Sequence, residues 1–297
     1  MDALIPPPHI RPPGLPWPAL FRLIRLRNQT GTLLLVLPSL WSLTLAERGL
    51  PSPRLLAIFL AGSFLMRSAG VILNDLADRS FDRHVTRTKT RPLASGELTP
   101  QQAGGLLVIL LLAAAGLLLF LNSLTRWLAP VAVLLSALYP FCKRVLHIPQ
   151  AVLGIAFGWG AIMAWAAARG TIETPAWLIF SATVAWAIAY DTIYALQDQD
   201  DDRRIGVKSA ALFFGSSTWL AVSVALGIML LLLGALGRLT DIGAGYYLAL
   251  CGAGLLFASH IYRLRGSMSP SDAGLMFQSH VWAGLIILAG LIAGLLF

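Results

Sequence analysis

Nine mostly apolar stretches recur along the chain, near residues 31–47, 55–76, 102–122, 126–142, 148–168, 174–195, 214–236, 242–261 and 280–297. An α-helix rises about 1.5 Å per residue, so runs of this length match the ~30 Å hydrocarbon core of a bilayer. Lipid offers no partner to free backbone N–H and C=O groups, which makes helices the natural form for such runs. The sequence therefore predicts an all-α integral membrane protein with nine transmembrane helices spread over residues 29–297. Residues 1–28 form a proline-rich lead-in. Only 12% of the residues are charged, about half the share of an ordinary soluble domain.

Pro6, Pro7, Pro8, Pro12, Pro13, Pro16 and Pro18 interrupt any signal-peptide core or amphipathic targeting helix, so insertion by the first span of a bacterial inner-membrane protein is expected. Cys142 and Cys251 lie in or beside apolar runs without zinc or disulfide spacing and read as packing residues. Three connections are long and polar: 77–100, 196–213 and 262–279. If the N-terminus is cytoplasmic, sixteen of the 22 Lys and Arg residues fall on that side and five on the other, with Arg67 inside a span. The positive-inside rule then places the C-terminus outside and all three long connections in the cytoplasm. The net charge of +8 follows this topology and does not point to nucleic acid.

Most of the 14 acidic residues gather at two of these connections: Asp75, Asp78, Asp82 and Glu97 at the first, and Asp191, Asp198, Asp200, Asp201 and Asp202 at the second. Carboxylates crowded at a membrane surface repel one another unless a cation neutralises them, and Mg²⁺ takes oxygen ligands completed by phosphate and water. Residues four apart share a helix face, which aligns Asn74, Asp78 and Asp82, and likewise Asp198 and Asp202, with Asp191 seven before Asp198 on roughly the same side. Each cluster ends an even-numbered span and is followed by a basic segment, a pattern expected of two equivalent halves facing one cavity.

Arg67 and Asp191 lie within apolar runs, where an isolated charge is costly, so Arg67 is expected to face a cavity with a substrate anion or Asp191 as its partner. Arg79, Arg83, Arg87, Lys89, Arg91, Arg203, Arg204 and Lys208 are available to a diphosphate, although most also set topology and meet lipid headgroups. Tyr190 and Tyr194 flank the carboxylates, and Gly154, Gly158 and Gly160 are expected to let helices approach closely. No P-loop, HExxH or GxSxG string is present.

With Asn74, Asp75, Asp78 and Asp82 matching NDxxDxxxD, and Tyr194, Asp198 and Asp202 matching YxxxDxxxD, the chain resembles the UbiA superfamily of intramembrane aromatic prenyltransferases. The strings NDLADRSFDRHVTRTKTRPLASG, YPFCKRVLHIPQAVLGIAFGW and AYDTIYALQDQDDDRRIGVKS are closest to the 4-hydroxybenzoate polyprenyltransferase branch. The resemblance runs from about residue 20 to the end. It implies nine helices around a central cavity open to lipid and capped by the two acidic loops. Mg²⁺ held by Asn74, Asp78, Asp198 and Asp202 would bridge to the diphosphate of a polyprenyl donor, with 4-hydroxybenzoate as acceptor and ubiquinone biosynthesis as the setting.

Asp191, Arg67 and Asp75 are the catalytic candidates. Asp191 is expected to orient or deprotonate the aromatic substrate, and Arg67 or Arg144 to bind an anionic partner. Asp82, Arg79, Lys89, Arg91, Arg144, Tyr194 and Lys208 form the expected substrate-binding set. One segment departs from the family: a string like RxDKPxGT before the first span is replaced by Arg25-Leu26-Arg27-Asn28-Gln29-Thr30-Gly31-Thr32. Prenylation of another aromatic acceptor, or cation-coupled transport, are the alternatives.

Overall fold

The computed structural model describes residues 16–296 except Val207, without the side chains of Lys143, Arg144 and Ile205. Most of the proline-rich lead-in therefore lies outside the described residues. Among the described residues the chain is helical throughout, with no strand.

A short helix α1 (Trp17–Leu23) buries Ala19, Leu20 and Leu23 and leaves Trp17 and Phe21 exposed. The long helices are α2 (Thr30–Ala46), α3 (Pro53–Ala77), α5 (Pro100–Leu118), α6 (Ser123–Val145), α7 (Gln150–Arg169), α8 (Thr174–Ala195), α11 (Thr218–Leu239), α12 (Ala244–Leu264) and α13 (Pro270–Leu296). Short helices α4 (Arg79–Asp82), α9 (Gln199–Ile205) and α10 (Ala210–Phe214) lie in the two acidic connections. Eight of the long helices have the length and apolarity to cross a membrane, and α2 is equally apolar but only 17 residues long.

Helix starts follow their capping chemistry. Thr99 and Gln102 form a reciprocal capping box ahead of Pro100, and the Asn122 carboxamide accepts from the Thr125 N–H at 2.9 Å. One connection differs from the sequence reading. The stretch 262–279 is mostly helix, because α12 runs to Leu264 and α13 begins at Pro270. Ser269 accepts from the Asp272 N–H at 3.1 Å and Pro270 takes the first helical position, so these polar residues start a helix.

Neighbouring helices in the sequence are neighbours in space, and α13 closes back onto α2 and α8. The largest buried cluster joins α2, α7, α8, α11, α12 and α13 around Trp41, Trp186, Tyr246 and Phe257. Trp41 stacks on Trp186 at 5.2 Å and donates its indole N–H to the Gly284 carbonyl at 3.0 Å. Packing, not exclusion from water, holds helices together in lipid, so small residues sit where backbones meet. A Cβ on Gly154 would stand 2.9 Å from the Val184 Cα and carbonyl oxygen, and one on Gly158 would stand 3.0 Å from the Phe180 carbonyl oxygen. The expectation for these glycines is met, and α8 is pinned closely against α7.

A second cluster packs α1, α3 and α5 around Leu93 and Leu98. These two fully buried leucines anchor the connection after α4. Its neighbour Arg22 pairs with Glu97.

Candidate active site

Inside the helices lies a cavity of about 1080 Å³. Much of its wall is apolar, built from residues such as Leu34, Ile58, Phe59, Leu111, Val133, Leu153 and Met163. At one end both acidic motifs converge on it. Asn74 lies in the last turn of α3, Asp78 terminates that helix and donates its N–H to the Asn74 carbonyl at 2.8 Å, and Asp82 ends α4. On the opposing element, α8 continues through a single 3₁₀ turn (Leu196–Asp198) into α9, which carries Asp202. Asn74, Asp75, Asp78, Asp82, Asp191, Tyr194, Asp198 and Asp202 all line the cavity.

The carboxylates of the first motif have distinct environments. Asp75 is 1% exposed. Arg25 Nη2 donates to its Oδ1 at 3.0 Å and Oδ2 at 2.8 Å, and Arg91 Nη1 to Oδ1 at 3.1 Å. Arg91 Nη1 also reaches Asp82 Oδ2 at 2.8 Å. Burial pushes the Asp82 carboxyl above its ordinary range, with Arg91 opposing and Asp75 reinforcing the shift. Arg25 reaches Asp75 from a left-handed turn (φ 58°) between α1 and α2. Asp75 thus organises the loop through two arginines, while Asn74 and Asp78 share the cavity wall with the second motif.

The second motif is held by the loop that follows α4. Arg87 donates to Asp198 through Nε and Nη2, and through Nη1 to the Tyr194 hydroxyl at 2.8 Å. Thr86 N–H donates to Asp201 Oδ2 at 2.9 Å, and Asp201 also pairs with Arg204. The Thr86 N–H, seconded by Arg204, holds the Asp201 carboxyl below its usual range. Both the Arg87 and Thr86 contacts bridge more than 100 residues of sequence, and local spacing carried no signal for either.

Arg67 lies seven residues before Asn74, and Asp191 seven before Asp198, so each sits about 10 Å deeper along its helix than the motif residue. Both line the cavity, as do Tyr139 and Tyr190. Gly31 makes room for Arg67: a Cβ there would stand 2.4 Å from the guanidinium Nε. The departing segment, which runs into the first turn of α2, is therefore part of the site, with Arg25, Asn28, Thr30 and Gly31 in the wall. Gln29 folds back on it, donating to the Arg25 carbonyl at 3.0 Å.

The remaining expected substrate ligands divide. Arg91 and Lys208 line the cavity, and Lys208 donates to the Val145 carbonyl at 3.2 Å. Arg79 and Lys89 do not line it: Arg79 Nε donates to the Leu93 carbonyl at 3.2 Å and Lys89 is exposed. Spacing alone cannot tell which side of a loop a basic residue takes. The Arg144 side chain lies outside the described residues.

An all-helical membrane protein with a largely apolar chamber and two facing carboxylate motifs at one end is the class that fold and site define. The chain belongs to the UbiA prenyltransferase family, whose model matches residues 35–281. It is 46% identical over 281 residues to the 4-hydroxybenzoate octaprenyltransferase of Pectobacterium carotovorum, covering 94% of this chain and 97% of that one. The 4-hydroxybenzoate octaprenyltransferase of Pseudomonas aeruginosa is 42% identical over 272 residues, covering 92% of each. In fold it is similar to the apo structure of a UbiA homolog from Aeropyrum pernix, with a TM-score of 0.76 at 23% identity over 88% of this chain and 97% of that one. A UbiA homolog from Archaeoglobus fulgidus bound to GPP and Mg²⁺ gives 0.62 at 15% identity over 91% of this chain and 99% of that one.

Proposed function

We propose that the protein transfers a polyprenyl group from polyprenyl diphosphate to the ring carbon ortho to the hydroxyl of 4-hydroxybenzoate, in ubiquinone biosynthesis. The reading rests on one observation above the others: Asn74, Asp78, Asp198 and Asp202 line the same end of a single chamber whose deeper walls are largely apolar. The relatives named 4-hydroxybenzoate octaprenyltransferase, alike over nearly the whole chain, support the choice of substrates.

Those four side chains offer only oxygen donors, which suits Mg²⁺. Mg²⁺ is commonly held by a few carboxylates together with substrate phosphates and water, so diphosphate oxygens and water would complete its ligand set. Bound there, Mg²⁺ would neutralise charge gathering on the departing diphosphate. Arg91 and Lys208 add positive charge at the same end. Apolar walls keep water from the allylic cation as the C–O bond to diphosphate breaks. Arg67 holds the acceptor's carboxylate, and Asp191 orients its hydroxyl or takes the ring proton after the new C–C bond forms. Asp75 acts as a positioning residue through Arg25 and Arg91. Arg79 and Lys89 serve the membrane surface.

In the same reading α2 is the ninth span, because 17 residues reach about 26 Å. The loops carrying α4 and α9 cap the chamber on the cytoplasmic side of a bacterial inner membrane, with the N-terminus inside and the C-terminus outside. Purified protein in nanodiscs, given radiolabelled 4-hydroxybenzoate and geranyl or longer prenyl diphosphate, is expected to form prenylated product with Mg²⁺ and none after chelation. Absence of product with every donor length, or equal product after exhaustive chelation, rejects the reading. Product only with a different aromatic acid would shift the acceptor and leave the donor chemistry standing.

A further inference from the structure

Arg87 reaches the second acidic motif from the opposite loop and commits nearly its whole guanidinium to it. Nε meets Asp198 Oδ1 at 2.8 Å and Nη2 meets Oδ2 at 2.5 Å, while Nη1 donates to the Tyr194 hydroxyl at 2.8 Å. The guanidinium carbon also stands 5.0 Å from the centroid of the Tyr194 ring. This is the two-pronged geometry in which arginine binds carboxylate most strongly. The Asp198 and Arg87 side chains keep 17% and 34% of their accessibility, and both line the chamber. The neighbouring Thr86 is fastened to Asp201 at 2.9 Å, so the loop is anchored one residue from the arginine.

Both Asp198 oxygens are thus taken by a cation that belongs to the chain. A divalent ion and a guanidinium compete for the same carboxylate, because each would place positive charge against the same pair of oxygens. Expelling Arg87 leaves a partly exposed guanidinium without its carboxylate and free to take a new anion. A diphosphate arriving at the same end of the chamber supplies one, and its planar match to phosphate oxygens is as good as to carboxylate. Metal entry and diphosphate entry then assist each other, since each completes what the other displaces.

From this geometry we propose that Arg87 is the resident counter-ion of Asp198 in the donor-free enzyme, and that it passes from Asp198 to the diphosphate when metal and donor bind together. The proposal rests on Asp198 being a metal ligand, as the function above requires. Its consequence is that the wild-type protein binds divalent metal weakly alone and much better with diphosphate. Loss of the guanidinium uncouples the two.

The test is a Mn²⁺ titration followed by electron paramagnetic resonance on wild type, Arg87→Met and Arg87→Lys in nanodiscs, with and without geranyl thiolodiphosphate, an unreactive donor analogue. For wild type the analogue should raise Mn²⁺ affinity about tenfold or more, which corresponds to about 1.4 kcal/mol of coupling. Arg87→Met should bind Mn²⁺ about tenfold more tightly than wild type without the analogue, and gain little when it is added. Arg87→Lys keeps the charge without the fork and should fall between them, and it carries the test if the methionine variant does not fold. Unchanged or weaker donor-free Mn²⁺ binding in the variants, with wild-type coupling intact, overturns the counter-ion role alone. No Mn²⁺ binding to wild type even with the analogue overturns the metal assignment itself, and the counter-ion role with it.

Discussion

Replacing Asp75 with alanine is expected to loosen the loop after α4 at a cost of about 3 kcal/mol. The side chain is 2% exposed and accepts three hydrogen bonds, two from Arg25 and one from Arg91. Removing one partner of a buried ion pair costs about 3–5 kcal/mol, because the charge left behind is desolvated and unpaired. Arg25 and Arg91 keep 27% and 18% of their side-chain accessibility, and Arg91 retains Asp82 at 2.8 Å, so part of that loss is recovered. The low end of the range follows. At about 2–4 °C per kcal/mol the midpoint should fall by about 6–12 °C.

The assay is thermal unfolding of detergent-solubilised protein followed by gel filtration, with Asp75→Asn as companion. Asparagine keeps the shape and one acceptor oxygen, so its shift should be roughly half as large. A cycle combining Asp75→Ala with Arg91→Ala should be non-additive, since each removes the same contact. A wild-type midpoint for Asp75→Ala would refute the organising role. Loss of turnover with no change in midpoint would instead return Asp75 to the reacting groups.

Asp78→Ala and Asp198→Ala should each abolish turnover while the protein still elutes as a folded species, and near-normal turnover in either would remove it from the metal set. Asp201 is held below its ordinary pKa, so its contribution is complete above about pH 4 and is lost as pH falls through the depressed value. Protection of the Thr86 amide, measured against its intrinsic exchange rate at each pH, should accordingly fall on acidification in wild type, whereas Asp201→Asn should already be less protected at pH 7 and show no such limb. Gly154→Ala forces a methyl to within 2.9 Å of α8 backbone. That overpacking costs about 1–3 kcal/mol, against up to about 1 kcal/mol gained in helix propensity, so the midpoint should fall. At Gly104, where a Cβ would meet nothing within 4 Å, the same change should be neutral or stabilising.

Apolar run length located the long helices, because a spanning segment must satisfy its own backbone and announces itself by composition alone. The same test misread 262–279, where Ser269, Ser271 and Asp272 are polar yet build a helix start. Four-residue spacing pointed to Asn74 with Asp78 and Asp198 with Asp202, which all line the cavity, although Asp78 caps α3 and a 3₁₀ turn precedes α9, so each pair spans a helix end and not one regular helix face. Pairings across the chamber were not legible. Arg87 meets Asp198 across 111 residues, and Trp186 donates its N–H to His280 Nδ1 at 2.9 Å across 94. Such contacts are consequences of helix packing, and a single string of residues does not encode them as a pattern. Lys89 and Arg91 illustrate the limit: two residues apart on a basic loop, one is exposed and the other enters the chamber.

The two motifs rest on unlike supports, and this difference bears on how the site accepts its substrate. The second is carried by α8, which is closely packed on α7 at Gly154 and Gly158 and buried around Trp186, itself fixed by Trp41 and His280. Moving that helix would break close packing, which is costly in small steps. The connection between Asp82 and Thr99, by contrast, is held by Leu93 and Leu98, by single hydrogen bonds such as Thr86 N–H to Asp201 and Arg79 to the Leu93 carbonyl, and by arginine pairs: Arg91 to Asp75 and Asp82, Arg87 to Asp198, Arg22 to Glu97. Of these, the partly exposed Arg87–Asp198 pair can be exchanged for a pair with an incoming diphosphate at less cost than the buried Asp75 pairs, because one anionic partner replaces another. A donor bearing several negative oxygens therefore finds one rigid wall and one adjustable one. The adjustable side carries the arginines, so reorganisation on binding is expected in the loop from Arg83 to Thr99, while α8 stays fixed.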